Sequence, residues 1–534
     1  MGEQRLEKRV FWISLAIIGV MCAPLALGTE RGSAILTGIQ GFITGNFGWL
    51  YLWFAIAIFG VLVWLATGRY AKVKFGDPDS EPEFRTLSWI AMMFTAGIGS
   101  SIMYWGVIEW AYYYTSPPFG AEAGTVVAGR WATTYPLFHW GFTAWAIYCL
   151  PALPIAYAFH TRKIPMLNLS GACRGVIGDR ADGWLGKIID VLFMFGLVGG
   201  VVTTLGLGVP MISEGVSEIF GIERTLQLDA GIIVLWTAIF GTSVFVGLQR
   251  GLKRLADINV YLALVVGVFF LVFGPTVFII TTFTNSVGQL FQNFIEMSFY
   301  TASIRGSEFP EKWTIFYWAW WLAYAPFVGL FTARISRGRT IRGLILAMVL
   351  GGSLGSWLTF TILGNTGLYF DLNGIVPVTD ILNDSGAPSA IIATVLGLPL
   401  GSLVLVVFLV LAMIYLATTL DSSAFILASV STKDLHPDEQ PARWNRVFWA
   451  IILGAVAVTM MYLGGLEPLQ SMAVMTAFPM MIIFTLMIIS FRRWLIEDEA
   501  DKKHVAADAQ KEVDDDLRSA STDDKGKQEE KTKA

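Results

Sequence analysis

One uncharged, aromatic-rich stretch constrains the fold more than any other part of the sequence. Residues 313–333 read WTIFYWAWWLAYAPFVGLFTA, and the first charge after them is Arg334. As a helix that rises ~1.5 Å per residue, this stretch is long enough to cross the ~30 Å hydrocarbon core of a bilayer. We therefore expect it to span a membrane.

Six aromatic residues recur along this stretch at helical spacing, so they share one face. They are Trp313, Phe316, Tyr317, Trp320, Trp321 and Tyr324. One interpretation is a packing face with an interfacial aromatic belt. The other is a cage whose ring faces attract a quaternary ammonium group. A belt lies at the two ends of a span, whereas these rings continue to its middle, where Pro326 interrupts the helix in a way that suits a cavity.

The composition is typical of an all-α polytopic membrane protein. Apolar residues make up 55% of the chain, charged residues 15%, and the mean hydropathy is +0.60. Apolar runs of spanning length predict about twelve transmembrane helices in the lipid bilayer. They lie roughly at 10–28, 47–67, 87–115, 130–159, 184–218, 229–247, 255–284, 313–335, 340–363, 396–430, 445–463 and 467–491.

Lys and Arg residues are concentrated on one side of the predicted membrane. That side holds the N-terminal Arg5, Lys8 and Arg9 and the basic residues within 69–85, 162–187, 250–254, 334–342 and 433–446. The opposite side holds only Arg31, Arg130, Arg224, Arg305 and Lys312. By the positive-inside rule, we expect a multi-pass protein of the plasma (inner) membrane with both termini in the cytoplasm.

Two segments outside the predicted spans have a distinct character. Residues 285–301 alternate apolar and polar side chains at helical spacing, which predicts an amphipathic helix in the membrane interface. From Glu497 onward the chain is rich in charge, mostly acidic, and has no Phe, Trp or Tyr. Such a segment cannot bury enough apolar surface to fold alone, which favours a disordered cytoplasmic tail over a sensor domain.

Several function classes lack their usual residues. The cysteines Cys22, Cys149 and Cys173 have no paired spacing, so we expect neither a disulfide framework nor a zinc site. With four histidines and no HExxH motif, the usual metal and haem sites of a membrane enzyme are missing. The net charge of −4 gives no reason to expect nucleic acid as a partner. We expect no enzyme activity and no cofactor.

Small residues and hydroxyls lie in the middle of the third predicted span. They are Gly97, Gly99, Ser100 and Ser101. One interpretation is close helix packing through small residues. The other is an unwound segment whose free carbonyls, near Thr95 and Ile98, coordinate an ion.

The fourth predicted span carries three more aromatic residues on one arc, which could form a second wall of the cage. They are Trp140, Trp145 and Tyr148. His139 lies beside them, well inside the span. A hydrogen-bonded structural imidazole is the favoured interpretation, and a proton relay is the alternative.

The tenth predicted span is rich in oxygen-bearing side chains of the kind that bind small alkali cations. They are Tyr415, Thr418, Thr419, Asp421, Ser422 and Ser423. Asp421 is either a hydrogen-bonded structural residue or part of a water-accessible site, because an unpaired carboxylate is costly in lipid. Glu109 and Asp190 lie near the ends of their spans, where we expect interfacial water to solvate them.

The run WTIFYWAWW, followed by APFVG and ARISRGRTIR, resembles the signature of the betaine/choline/carnitine transporter (BCCT) family. The resemblance extends from about the third span to the twelfth. It implies a LeuT-like fold of two inverted five-helix repeats after two extra N-terminal helices, with the substrate near the midplane. The implied domains are 1–86 (N-terminus and two peripheral helices), 87–284 (first repeat), 285–312 (amphipathic helix and outer loop), 313–496 (second repeat) and 497–534 (tail).

The resemblance also implies a site. It assigns an aromatic box to Trp140, Trp145, Tyr148, Trp320, Trp321 and Tyr324, and it adds Tyr112 as a substrate contact. Tyr at position 324 and the AYYY run before SPPFG are similar to the carnitine-type branch, so betaine, carnitine, choline and dimethylsulfoniopropionate all stay open as substrates. The family's shared sodium site maps onto Thr95, Ile98, Tyr415, Thr418 and Thr419.

The coupling mode follows from the same resemblance. Sodium-independent exchangers of the family carry an arginine in the seventh span, where this chain has Asn259. This favours sodium symport by alternating access over sodium-independent exchange of carnitine and betaine. A second ion position found in some members falls on Leu197 and Val201, which cannot ligate sodium, although Thr203 and Thr204 are close. Family members often form trimers, so a homotrimer is a possible assembly.

Overall fold

The computed structural model describes residues 6–23, 29–98, 101–164, 168–246, 249–304, 307–433, 435, 439–463 and 466–532. Within these ranges the chain is helical, and its β pairing is confined to isolated bridges of Leu6 with Thr432 and of Lys74 with Thr340. The α-helices are α1 Lys8–Cys22, α2 Thr29–Thr67, α3 Thr86–Ile98, α4 Ser101–Thr115, α5 Val126–His139, α6 Phe142–Ala156, α7 Leu169–Ala172, α8 Arg174–Ile177, α9 Trp184–Phe220, α10 Leu226–Val246, α11 Gln249–Phe273, α12 Thr276–Phe299, α13 Phe316–Arg334, α14 Ile341–Leu346, α15 Gly352–Leu372, α16 Val378–Ser385, α17 Ala387–Leu396, α18 Gly401–Val430, α19 Arg443–Leu463 and α20 Leu466–Thr532. Turns of π-helix occur at Tyr157–Thr161, Pro310–Ile315 and Ala347–Gly351, and a 3₁₀ turn at Gly178–Ala181.

Eight helices in the described part of the chain are long and apolar enough to cross a membrane, or up to ten if each of two bent pairs is one span. The all-α polytopic class is therefore confirmed, whereas the count of twelve is not. The first expected span falls on α1, which has fifteen residues. The sixth falls on α10, whose side chains the structure describes only as far as Ile239. The inverted-repeat layout stays a prediction.

The third expected span is formed by two helices that meet at a bend. α3 ends at Ile98, α4 begins at Ser101, and their axes differ by 67°. Gly99 and Ser100, which we expected in an unwound segment, lie outside the described residues. The unwound segment therefore stays a prediction.

The seventh span is shorter than its apolar run suggests. α11 ends at Phe273, before the expected end at 284, and α12 leaves it at 103°. Pro275 explains the break, because proline has no N–H to donate to the preceding turn. The amphipathic helix, expected from 285, therefore begins at Thr276. Its apolar residues divide between exposed positions such as Ile295 and buried ones such as Leu290.

The basic connections lie together on one side of the helices. Glu7 donates its backbone N–H to the carbonyl of Ser431 at 2.9 Å, and its carboxylate accepts from Nζ of Lys187 at 2.9 Å. Arg162 pairs with Glu497 at 2.7 Å, so the end of the last apolar run is on this side too. The charge pattern correctly grouped these segments. That this side faces the cytoplasm stays a prediction.

The last helix differs from the expected disordered tail. α20 continues without interruption from Leu466 to Thr532, across the boundary expected at 497. Residues 497–525 contain neither Gly nor Pro and are rich in Asp, Ala, Lys and Glu. Ala, Lys and Glu favour helix, and opposite charges three or four positions apart support one another. Low apolar content therefore does not prevent helix here.

The centre of the molecule is α13. Every residue from Phe316 to Leu330 is buried, and the helix packs against α6, α9 and α20. A helix enclosed on all sides cannot present an aromatic belt to lipid. The six rings that the sequence places on its face are therefore interior side chains.

Candidate functional site

The rings of α6 and α13 meet in the interior, together with Trp140 at the turn between α5 and α6. Trp321 is the central member: its ring centroid lies 4.7 Å from that of Trp140 and 5.3 Å from that of Tyr148, both in edge-to-face geometry. Trp145 lies 5.7 Å from Tyr148. These separations are those at which aromatic rings attract one another.

The remaining two rings complete one continuous cluster. Trp320 lies 5.1 Å from Trp321 with nearly parallel planes, and Tyr324 lies 6.3 Å from Tyr148. We call the set the aromatic box, and it consists of Trp140, Trp145, Tyr148, Trp320, Trp321 and Tyr324. None of these side chains is more than 5% exposed. The structure thus brings together all six rings that the resemblance assigns to the box.

Hydrogen bonds fix the orientation of the indoles. Trp320 donates its N–H to the carbonyl oxygen of Gly200 at 3.1 Å, and Trp321 donates to the carbonyl oxygen of His139 at 3.0 Å. Trp145 donates to Oγ of Ser356 at 3.1 Å. Because each of these buried N–H groups has an acceptor, the hydrogen bonds hold the indoles in their orientation in the box.

Tyr112 lies outside this cluster. Its ring contacts Trp313 at 5.1 Å, and Trp313 in turn stacks on Tyr317, which contacts Trp321 at 5.8 Å. Two rings therefore separate Tyr112 from the box in this conformation. If Tyr112 contacts substrate, it does so on the side of the box that faces away from the basic connections.

A cavity of about 1340 Å³ leads from the box toward the basic side. Along α13 its wall runs from Tyr324 through Phe327 and Leu330 to Arg334. These residues recur at intervals of three or four, so they form one stripe of the helix. Tyr324 therefore belongs both to the box and to the inner end of the cavity.

Three of the five expected sodium-site residues line this cavity. They are Thr95, Thr418 and Thr419. Thr95 donates its hydroxyl to the carbonyl of Ala91 at 2.8 Å, and Thr418 donates to that of Tyr415 at 2.9 Å. A hydroxyl that donates to a carbonyl keeps its lone pairs available for a cation. Ile98 and Tyr415 are buried beside the cavity without lining it.

Asn259 also lines the cavity. By the resemblance, this is the position at which sodium-independent exchangers carry an arginine. The Asn259 side chain is 1% exposed, and neither its amide nitrogen nor its amide oxygen has a hydrogen-bond partner among the described residues. A buried amide without partners is costly. It is therefore suited to a ligand or water that enters the cavity.

The two intramembrane aspartates near the cavity have protein partners. Asp421 accepts from Nη2 of Arg446 at 2.8 Å, in a pair of which Arg446 is 7% exposed and Asp421 20%. Asp190 accepts from the N–H and the hydroxyl of Ser170. Asp421 is thus ion-paired and also lines the cavity, and its part in a cation site stays a prediction.

The second ion position that some family members have was not expected here, because it falls on two aliphatic residues. Leu197 and Val201 are buried aliphatic residues. Thr203 donates to the carbonyls of Gly199 and Leu469, so its hydroxyl points into the helix contact. Thr204 donates to Gly200 and lies 3.2 Å from the hydroxyl of Ser101.

The expectation that interfacial water solvates Glu109 is wrong. This residue is fully buried rather than interfacial. Its carboxyl oxygens accept from Trp140, Tyr113 and Tyr317 at 2.8, 2.7 and 2.5 Å. The available signal was its position: an acid within an apolar run is a functional candidate by default, and Tyr113 follows it by one helical turn.

A polytopic helical protein with a buried aromatic site, reached by a cavity from one side, has the architecture of a membrane transport protein. The sequence model of the BCCT family, the betaine/carnitine/choline family transporters, matches residues 9–500, and the chain belongs to this family. The match runs from α1 into α20. Membership implies transport of betaine-, carnitine- or choline-type compounds, and the family is one of transporters, not enzymes.

Proposed function

We propose that this protein is a sodium-coupled symporter of an onium compound that works by alternating access. The compound is of the betaine, carnitine, choline or dimethylsulfoniopropionate type. The observation that carries the proposal is the shared cavity: Tyr324 of the aromatic box and Thr418 and Thr419 of the expected sodium site line one space. Substrate and ion would thus be bound side by side.

The aromatic box supports an onium headgroup as the bound moiety. Ring faces attract a cation that has no hydrogen bonds to donate, and tryptophan is the strongest such partner. Four of the six rings are indoles whose N–H groups are engaged elsewhere. An ammonium or sulfonium headgroup would have to part rings that now touch, since Trp140 and Trp321 lie 4.7 Å apart. We propose that this movement accompanies binding.

The cavity supports sodium as the coupling ion. Hydroxyl and carbonyl oxygens are hard donors suited to a small alkali cation, and Asn259 adds an unpaired amide rather than a competing arginine. The driving energy is adequate: one charge moving down a 100 mV potential supplies ~2.3 kcal/mol.

Alternating access is supported by the asymmetry of the two ends of α13. Toward the basic side, the cavity is open as far as Arg334. Toward the other side, Trp313 packs on Tyr113 at 5.0 Å and Phe309 packs on Tyr135 at 4.8 Å. We propose that the basic side is cytoplasmic, so this conformation opens inward.

Counterflow in proteoliposomes tests the proposal. Vesicles containing the purified protein are loaded with betaine, carnitine, choline or dimethylsulfoniopropionate, and entry of the labelled compound is followed with and without sodium. We expect exchange of at least one onium compound and net uptake only with an inward sodium gradient. Net exchange that is unchanged by removing sodium would favour the exchanger. Failure of all four compounds would overturn the onium assignment.

A further inference from the structure

Glu109 and its partners form a buried polar cluster directly behind the aromatic box. Oε2 of Glu109 accepts from Nε1 of Trp140 at 2.8 Å and from the hydroxyl of Tyr317 at 2.5 Å. Oε1 accepts from the hydroxyl of Tyr113 at 2.7 Å. Three donors thus converge on one carboxyl group. Only one of them, Trp140, belongs to the box.

The hydrogen atoms of this cluster can be assigned by matching each donor to an acceptor. The hydroxyl of Thr314 lies 3.0 Å from Nε2 of His139 and has no other partner among the described residues, so it donates there. Nδ1 of His139 then carries the ring hydrogen and donates to the oxygen of Tyr113, 2.9 Å away. The Tyr113 hydroxyl is left to donate to Glu109.

Other assignments leave a buried hydrogen without an acceptor. A protonated His139 would donate from both nitrogens, and the Thr314 hydroxyl would be orphaned. A carboxylic acid at Oε1 would reverse the chain through Tyr113 with the same result. A carboxylic acid at Oε2 would have to donate to Tyr317, whose own hydroxyl hydrogen would then be unmatched. Because unmatched buried donors are costly, the geometry points to an ionised Glu109 and a neutral His139.

This buried negative charge has no positive partner among the described residues. The nearest basic atom is Nδ1 of His139 at 3.7 Å, in a ring that is neutral in the assignment above. No Lys or Arg in the described part of the chain lies within ion-pair distance of Glu109. Buried charges are normally paired. Glu109 is linked to the aromatic box through Trp140, whose indole N–H it accepts and whose ring is 4.7 Å from that of Trp321.

We propose that Glu109 is the fixed counter-charge of the transported cation and acts through Trp140. This inference rests on the proposed onium substrate. The carboxylate holds the indole N–H, which positions the ring and draws electron density toward its face. It also supplies a field that an uncharged guest does not feel. Glu109 is thus a positioning residue that makes the box select positive charge, beyond the shape of the headgroup.

Paired probes separate charge from shape. Choline and 3,3-dimethylbutan-1-ol differ only in a trimethylammonium or a tert-butyl group, and glycine betaine and 3,3-dimethylbutanoate form a second pair. Binding to the full-length protein is measured by the change in tryptophan fluorescence. The wild-type chain should prefer the onium member of a pair, and Glu109→Gln should lower that preference by about tenfold or more. The affinity for 3,3-dimethylbutan-1-ol, which is uncharged, should hardly change.

The variants distinguish a charge-selecting role of Glu109 from a purely structural one. A Glu109→Gln variant that weakens both members equally would show a merely structural role and overturn the inference. Glu109→Asp keeps the charge and should retain the preference, even if both affinities fall. Glu308→Gln, whose side chain is 73% exposed and solvent-screened, is the matched control and should leave the ratio unchanged. A wild-type chain without any onium preference would defeat the proposed function instead.

A second measurement covers the case in which Glu109→Gln does not fold. Difference infrared spectra of the wild-type chain, with and without choline, report the state of carboxyl groups that sense the ligand. A carboxylate band that moves on choline binding, and that is displaced in Glu109→Asp, supports the inference. A protonated carboxyl band assigned in the same way overturns it.

Discussion

The indole of Trp145 lies directly against Gly352: a Cβ built on Gly352 would come within 2.1 Å of ring atom Cδ2. The same ring approaches Gly97 of α3, where an added Cβ would lie 3.0 Å from it. Trp145 therefore occupies a slot between two glycines on different helices. The absence of a side chain at both positions is what lets α6 present this indole to the box.

Gly352→Ala should displace Trp145 and lower substrate affinity about tenfold, because overpacking a site of this kind costs ~1–3 kcal/mol. Uptake kinetics measure the effect as a raised KM. Gly60→Ala is the control, since nothing lies within 4 Å of an added Cβ there. An unchanged KM in Gly352→Ala would show that the Trp145 slot is not part of the site.

Trp321→Leu should weaken binding of the onium compound at least about tenfold, because a cation–π contact worth ~1–2 kcal/mol is lost at the centre of the box. Trp449→Leu removes another fully buried indole, in α19 and outside the box, and controls for lost packing. Equal thermal destabilisation of the two variants with a loss of affinity only in Trp321→Leu is the expected pattern. Equal affinities would contradict the cage.

Replacing Thr418 and Thr419 together with Val should abolish stimulation of uptake by sodium, because two hydroxyl oxygens facing the cavity are removed with little change in shape. The measurement is initial uptake against sodium concentration. Thr459→Val is the matched control: its hydroxyl bonds the carbonyl four residues earlier on an exposed helix face. A double variant that is still fully stimulated would refute the ion assignment.

Asp421→Asn should destabilise the protein by ~3–5 kcal/mol, because Arg446 would keep an uncompensated charge in a nearly buried position. A fall in the thermal unfolding midpoint in detergent measures this. Adding Arg446→Gln should recover part of the loss, because no unpaired charge then remains. If the single variant is as stable as the wild type, water in the cavity solvates the guanidinium.

The aromatic box could be predicted because it depends on local periodicity. Trp320, Trp321 and Tyr324 share a helix face by spacing alone, and the rings of the fourth span followed the same rule. Their meeting in the interior needed the family resemblance, since spacing does not say which helices pack together. The structure brings the six rings together, and their role in binding substrate stays a prediction.

Other features depend on chain geometry that spacing does not reveal. Glu109 was expected at an interface because it lies toward the end of an apolar run, but the bend between α3 and α4 changes the path of that run. The apolar run likewise predicted a seventh span that continues past Phe273, although Pro275 breaks the helix there. Low apolar content predicts that the C-terminal segment buries little surface, but it does not predict whether the segment is helical. Helix propensity is the property that bears on the continuation of α20 beyond Glu497.

The cavity that ends at Tyr324 also passes Thr418 and Thr419, so the proposed onium substrate and sodium ion would leave by the same route. Release would then be sequential, because a ligand bound near the opening of the cavity blocks the exit of a ligand bound deeper in it. Turnover would then be limited by the slower of the two dissociation steps, and tighter binding of the species nearer the opening would slow the release of both.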